Sequence, residues 1–226
     1  MELNANFQER VSVHAGKMDW LDSPMAGVKR RMLDRIGDEV ARATTIVNYA
    51  PGSHFSAHTH TGGEEFLVLE GIFQDEHGDF PAGTYVRNPP TSSHTPGSEH
   101  GCTIFVKLWQ FDMEDRHQMH IDSTAVEWET DPERNGVKAL SLYRDDRENV
   151  SMEEWDANTT LSLLSPDGLE LLVLEGGFTE GGEAFDYQSW LRLPKGAETT
   201  IVTGNAGCKV WIKRNHLSET PIAPKQ

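Results

Sequence analysis

The chain has few of the features that mark secreted, membrane or disulfide-stabilised proteins. Its two cysteines, Cys102 and Cys208, are too few for a disulfide framework in 226 residues. It contains no run of about 18 apolar residues, the length that a membrane-spanning helix needs. Its first residues also lack the apolar segment of a signal peptide. We therefore expect a cytoplasmic protein.

Basic side chains are scarce as well. The chain has 20 Lys and Arg against 36 Asp and Glu, a formal net charge of −16 at pH 7. Binding to nucleic acid or to an anionic membrane needs a basic surface, so we expect neither as a partner. Most of the carboxylates are interpreted as solvated surface, and the partners that remain are small molecules and other proteins.

No long segment has the period of a helix. Short apolar runs are instead separated by turn residues about every 8–12 positions, which is typical of an all-β sandwich or barrel. Residues 1–15 carry little signal, and we expect either an arm that pairs with a partner subunit or disorder. Residues 111–130 are polar and charged, and are predicted to link two halves. The strands predicted before that linker cover residues 30–35, 43–49, 65–70, 72–74, 83–88 and 102–110.

Candidate metal ligands are concentrated in residues 52–71, GSHFSAHTHTGGEEFLVLEG. His58 and His60 are two positions apart, so on a strand both imidazoles face the same side. Glu64 begins the next apolar run, and His94 follows further along the chain. Three imidazoles and one carboxylate that converge on a point would bind a divalent transition metal.

The spacing of these residues and of their flanking glycines resembles the two sequence motifs of the cupin superfamily. The first motif is matched by Gly52-x5-His58-x-His60-x3-Glu64-x6-Gly71. The second is matched by Gly83-x5-Pro89-x-Thr91-x2-His94, with Thr91 where the family usually has glycine. The resemblance implies a small antiparallel barrel with His58, His60, Glu64 and His94 as ligands of one divalent metal per chain. Zinc is our first expectation, with iron, nickel or manganese as alternatives.

The second half of the chain repeats the first. The run at residues 171–176, LLVLEG, matches FLVLEG at residues 66–71, and three further segments match in the same order. We therefore predict a bicupin, two tandem double-stranded β-helix (jelly-roll) barrels, at residues 1–120 and 121–226. The second barrel lacks the ligands, because its matching positions hold Leu163, Ser165, Leu169 and Thr199. We expect a homodimer, with the second barrel as one candidate for the contact.

Three residues near the motif are candidates for contact with substrate or with the metal ligands. His54 shares strand parity with His58, so it could face the cavity, although a structural histidine is an equal alternative. Glu65 follows a ligand and is a candidate for proton transfer. Phe66, on the same face as Glu64, is a candidate cavity wall. Cys102 is interpreted as a packing residue, with redox sensing as the alternative.

The two-barrel layout with one metal site resembles the cupin part of ChrR-type anti-sigma factors. In that group the cupin senses oxidants, and a separate N-terminal zinc domain with a His-x3-Cys-x2-Cys pattern holds the sigma factor. Here the first cysteine is Cys102 and His14 stands alone, so we expect this chain to lack that domain.

Three functions remain open. The resemblance implies a metal-binding tandem cupin that senses or binds a small molecule or oxidant, and regulation of an ECF sigma factor is a further prediction. The alternative is a non-haem metal-dependent dioxygenase that acts on a small diketone or hydroxyketone. In the third, the metal only stiffens the fold.

Overall fold

The computed structural model describes residues 1–38 and 40–224, so the last two residues of the predicted second barrel lie outside it. The described residues form 22 strands and one 3-10 turn, Ala15–Lys17. The first fourteen strands are β1 (Glu2–Leu3), β2 (Val11–His14), β3 (Leu21–Asp22), β4 (Val28–Gly37), β5 (Ala41–Tyr49), β6 (Ser53–His54), β7 (His58–Thr59), β8 (Glu64–Asp75), β9 (Gly78–Pro81), β10 (Thr84–Asn88), β11 (Ser93–His94), β12 (Gly97–Ser98), β13 (Cys102–Leu108) and β14 (Met119–Asp122). The remaining strands are β15 (Glu129–Thr130), β16 (Val137–Arg144), β17 (Asn149–Trp155), β18 (Thr160–Ser165), β19 (Leu169–Glu180), β20 (Glu183–Phe185), β21 (Ser189–Leu193) and β22 (Ala197–Arg214).

The chain folds as two compact units, which confirms a tandem all-β bicupin. Unit 1 contains Met1–Ala5, Asp19–Ala125 and a short stretch from Ile222, and unit 2 contains Asn6–Met18 and Val126–Pro221. In unit 1 an antiparallel sheet runs in the order β1-β4-β5-β13-β8-β10-β14. The second half of β8 pairs with β9 and β12, and a separate ladder joins β7 to β11. Strand β8 thus contributes to both walls of a jelly-roll barrel.

Unit 2 repeats this arrangement, with the sheet order β15-β16-β17-β22-β19-β21-β2. The equivalence extends to single residues. Gly71 and Gly176 have φ values of 73° and 64°, and each lies two residues after a bulge of the central strand. A Cβ atom at either position would lie 2.2 Å from a backbone oxygen, that of Gly101 or of Gly207. Only glycine fits both the backbone conformation and the space.

Each barrel has an apolar interior built from alternate residues of its strands. In unit 1 the core includes Phe66, Val68, Phe73, Val106 and Ile104. Because side chains on a strand alternate between faces, Glu64 shares the inner face with Phe66, whereas Glu65 is turned to the outer face. In unit 2 the core includes, among others, Trp155, Leu163, Leu169, Val210 and Ile212.

The structure corrects two sequence-based expectations. Residues 1–15 are neither disordered nor an arm for a partner subunit, because β1 pairs with β4 and β2 pairs with β21 of the same chain. Residues 111–130 are not only a linker, because β14 pairs with β10 and extends the first sheet. Within the described part of the chain, no helix combines the length and the hydrophobicity needed to cross a membrane.

Candidate metal centre

The three histidines of the motif come together in unit 1. Strand β7 carries His58, strand β11 carries His94, and the two residues are direct partners across the ladder. His60 follows β7, and its backbone N–H donates to the carbonyl of Ser92. The ring centroids of the three imidazoles lie 4.8, 5.0 and 4.7 Å apart. Residues distant in the sequence therefore present nitrogen atoms to one point.

The distances between donor atoms suit a shared cation. Nε2 of His60 lies 3.0 Å from Nε2 of His94, and Oε2 of Glu64 lies 3.4 Å from the first nitrogen and 3.8 Å from the second. Two nitrogens bound about 2.1 Å from one metal, at about 90° to each other, would be separated by about 3.0 Å. Among the described residues, the three histidines form the only group of three or more His, Cys, Asp or Glu placed to bind a metal.

The protonation chemistry of these groups also fits a metal. A carboxylate only accepts hydrogen bonds, so the 3.1 Å contact of Asp75 Oδ2 with Nδ1 of His94 assigns the proton to Nδ1. Nε2 of His94 then presents a lone pair towards His60 and Glu64. Oε2 of Glu64 is buried and has no hydrogen-bond partner in the described part of the chain. Buried lone pairs that face one another need a cation, so these residues fit a divalent metal.

Asp75 at the end of β8 is a functional candidate that the sequence reasoning missed. Its side chain is 3% exposed, and it orients the ring of His94, which is 4% exposed. Burial alone would lower the pKa of His94, but the hydrogen bond to Asp75 and the charge of Glu64 raise it overall. Burial lowers the pKa of His60 below its usual value, which favours the neutral imidazole that a metal requires.

The other sequence-based candidates are placed differently. Phe66 is buried on the inner face, and its ring centroid lies 4.6 Å from that of Phe73, which in turn lies 5.7 Å from that of His94. Glu65 does not face the histidines, because it lies on the opposite face of β8 and accepts a hydrogen bond from Tyr85 at 2.6 Å. That position does not support proton transfer at the metal. His54 is exposed and lines a groove with Gln74, Asp75, Thr95, Gly97 and Glu99.

Cys102 has the properties of a packing residue. It is 3% exposed in the core of the first barrel, and burial raises the pKa of its thiol to about 11. Cys208 occupies the matching position in unit 2, where burial raises the pKa of its thiol to about 12. Thiols that remain protonated at neutral pH are poor redox sensors.

The matching positions of the second barrel are filled by other chemistry. Leu163 and Leu169 pack in its core and Ser165 is buried, while the hydroxyl of Thr199 donates to Glu180 at 2.6 Å. The ladder that joins His58 to His94 in unit 1 has its counterpart in the pairing of Leu163 with Thr199. The backbone arrangement is thus repeated without metal-binding side chains at these positions.

A tandem jelly roll with three convergent histidines in one barrel defines a cupin-fold protein with a candidate metal site. Residues 8–112 match the family model described as the ChrR cupin-like domain. This part of the chain, a little less than half of it, therefore resembles the ChrR cupin-like domain. No curated protein sequence matches the chain.

Solved structures from several bacteria share the fold. A putative dioxygenase from Nostoc punctiforme has a TM-score of 0.77 at 13% identity, covering 97% of this chain and 87% of its own. A putative glyoxylate-induced protein from Pseudomonas aeruginosa has a TM-score of 0.71 at 13% identity, covering 100% and 95%. The pirin YhhW from Escherichia coli, solved with nickel(II), has a TM-score of 0.61 at 13% identity, covering 91% and 98%. At these identities the likeness establishes the fold alone.

Proposed function

We propose that this protein binds one divalent metal through His58, His60, Glu64 and His94, and that the metal binds a small molecule at its remaining coordination positions. A bound metal of this kind acts as a Lewis acid that polarises the oxygen atom of its ligand. The four side chains of the protein orient the cation, and the apolar wall around Phe66 restricts the access of water.

The observation that carries this proposal is that the candidate donors come from one part of the barrel. They lie on β7 or directly after it, at the start of β8, and on β11. On the β13 side of Glu64, its inner-face neighbours along the main sheet are Leu108 and then Ala43, and neither side chain can bind a metal. Coordination positions on that side are left for another molecule. The exposed side chain of His58 provides a route from solvent.

The match of residues 8–112 to the ChrR cupin-like domain favours sensing of a small molecule or oxidant as the biological role, and extends the proposal to regulation of an ECF sigma factor. The buried, protonated state of Cys102 assigns the response to the metal and its ligand rather than to a thiol. Zinc is the first candidate metal for a purely sensory site, and iron, nickel or manganese would allow more than four ligands.

The second candidate is a non-haem dioxygenase that acts on a small diketone or hydroxyketone. An apolar wall beside open coordination positions favours it, because dioxygen and an apolar substrate can then meet at the metal. The solved structure from Nostoc punctiforme carries the description of a putative dioxygenase. Anaerobic loading with iron(II) and 2,4-pentanedione, followed by mixing with oxygen, tests this candidate by oxygen uptake. Absence of uptake would exclude this diketone as the substrate.

Binding of nitric oxide to the iron(II)-loaded protein tests the main proposal. Nitric oxide needs a free coordination position, so a high-spin iron–nitrosyl EPR signal is expected in the wild-type protein. The signal should be lost in His94→Ala and kept in His100→Ala, which removes an exposed histidine outside the cluster. A metal-loaded protein that gives no signal would show a closed site and contradict the proposal.

A further inference from the structure

Two arginines of β4 face the interior of the first barrel. In the pairing of β4 with β5, Arg30 is the partner of Val47 and Arg35 is the partner of Ala43. Paired residues on adjacent antiparallel strands point to the same face of the sheet. Val47 packs against the core of the first barrel, so Arg30 lies on the inner face. Arg35 lies on the inner face too, because a bulge between Met32 and Asp34 restores the alternation.

These arginines share the barrel interior with a metal ligand. The row of paired residues that begins at Arg35 continues through Ala43 and Leu108 to Glu64. The row of Arg30 lies further along the same face and continues to Val47 and the core. The inner face of β4 therefore carries positive charge in the same barrel that carries the candidate metal ligands.

The second barrel indicates which residues lie across the barrel interior from the inner face of β4. Ala139, Arg144 and Leu163 line a single cavity in unit 2. Ala139 pairs with Glu153 of the next strand, and Arg30 pairs with Val47 at the matching position of the first barrel. Ala139 therefore corresponds to Arg30. By the same register Arg144 corresponds to Arg35, and Leu163 corresponds to His58. By analogy with this cavity of unit 2, we infer that the β4 arginines and His58 face the same opening of the first barrel.

Arg30 is half-buried, and it forms no ion pair with an acidic side chain in the part of the chain that the structure describes. Its Nε atom is buried and has no hydrogen-bond partner among the residues that the structure describes. Arg35 is engaged differently, since its guanidinium donates to the backbone oxygen of Asp38. Burial and the nearby charge of Arg30 lower the pKa of Arg35, so two cations share this surface in a chain of net charge −16. Such an arrangement favours an external anion.

We propose that the small molecule bound at the metal carries a carboxylate, and that Arg30 binds this carboxylate at the mouth of the first barrel. The inference rests on the proposed function, because the metal binds the other end of the same molecule. A carboxylate is held by two parallel N–H groups of a guanidinium, and the Nε–H of Arg30 is available as one of them. In unit 2 both partners are replaced together, Arg30 by Ala139 and His58 by Leu163. The ligand class is a small carboxylate with a keto or hydroxyl oxygen that reaches the metal.

Two probes that differ by a single carboxylate test this proposal. We would load the protein with nickel(II) and measure the affinity for 2,4-dioxopentanoate and for 2,4-pentanedione by calorimetry. Both can bind a metal through the same dicarbonyl group, but only the first has a carboxylate for Arg30. The variant Arg30→Met keeps the apolar stem of the side chain. The matched control Arg31→Met removes the same charge from the outer face, where Arg31 stacks 4.1 Å from the ring centroid of Trp20.

The wild-type protein and Arg31→Met should bind 2,4-dioxopentanoate about tenfold or more tightly than 2,4-pentanedione, the gain expected of a charged hydrogen-bonded pair. Arg30→Met should lose this preference and keep its affinity for 2,4-pentanedione and its metal content. Equal affinities in the wild-type protein, or a preference that survives in Arg30→Met, would overturn the carboxylate site and leave the proposed function standing. Failure of both probes to bind the metal-loaded protein would overturn the metal–ligand function and this inference with it.

Discussion

Replacement of Asp75 by alanine should weaken metal binding although Asp75 is not one of the candidate ligands. Its carboxylate accepts a hydrogen bond from Nδ1 of His94 at 3.1 Å, and the two side chains are 3% and 4% exposed. A buried hydrogen bond to a charged group contributes about 1.5–3 kcal/mol. Because this bond fixes the ring orientation and raises the basicity of Nε2, most of that energy should appear in metal affinity. We expect a loss of about tenfold to a hundredfold.

Competition of the protein with a chromophoric chelator for nickel(II) or zinc(II) measures this loss. Asp75→Asn should show a smaller effect, since an amide oxygen still accepts the hydrogen bond but carries no charge. Asp79→Ala is the matched control, because Asp79 is an exposed carboxylate whose hydrogen-bond partner among the described residues is the side chain of Gln74. Its metal affinity should equal that of the wild-type protein.

Asp75 also accepts the backbone N–H of His77 at 2.7 Å, so its loss could loosen the β8–β9 turn. The thermal unfolding of the metal-free variants separates this effect from metal binding. A metal affinity of Asp75→Ala equal to that of the wild-type protein would refute the role of Asp75 in orienting His94. A loss of affinity in Asp79→Ala of the same size would also refute it.

Three further predictions concern the fold. Glu153 is buried between Arg134 and Arg214, so Glu153→Gln should lower the free energy of unfolding at pH 7 by about 3 kcal/mol in urea titrations. Burial opposes ionisation of Glu153, but the two arginines hold its pKa below 4.5; the difference should therefore persist above pH 4.5 and shrink as the pH falls through the lowered pKa. Gly71→Ala should destabilise the first barrel by about 2 kcal/mol or more, because φ is positive and a Cβ atom would meet a carbonyl oxygen; a variant as stable as the wild type would contradict this. Alkylation of native Cys102 by iodoacetamide, followed by mass spectrometry, should be very slow at pH 8 and accelerate only as the pH approaches 11, and rapid reaction at pH 7 would contradict its burial.

The convergence of the three histidines could be predicted from the sequence because its signal is local. His58, His60 and Glu64 lie within seven residues, where strand parity and turn residues determine which way each side chain points. His94 could be added because the second motif has its own spacing. The tandem repeat could be recognised for a similar reason, since Gly71 and Gly176 occupy matching positions where only glycine fits.

The residues that support the site depend on contacts distant in sequence and gave no such signal. Asp75 reaches His94 only because β8 continues past its bulge into the second wall of the barrel. Arg30 could be recognised only from the register of β4 against β5. Strand parity could have excluded Glu65, because a strand that turns Glu64 inward must turn Glu65 outward.

The course of the N-terminal segment was also beyond the sequence. Strand β2 pairs with β21, and the paired residues are 175 to 181 positions apart in the sequence, from His14 with Ser189 to Val11 with Arg192. Arg10 forms ion pairs with Glu180 and Glu183, and Ser12 donates to Glu183. Polar residues of this kind resemble a solvated tail until their partners are known, so a polar strand at a sheet edge was mistaken for an arm.

The most direct test of the account is the metal-to-chain ratio of the purified protein, measured by elemental analysis together with that of His94→Ala. We predict a ratio near one for the wild-type protein, carried by His58, His60, Glu64 and His94, and a ratio near zero for the variant. A ratio near two, or a ratio near one that survives the loss of His94, would contradict the claim that a single cation is held in the first barrel.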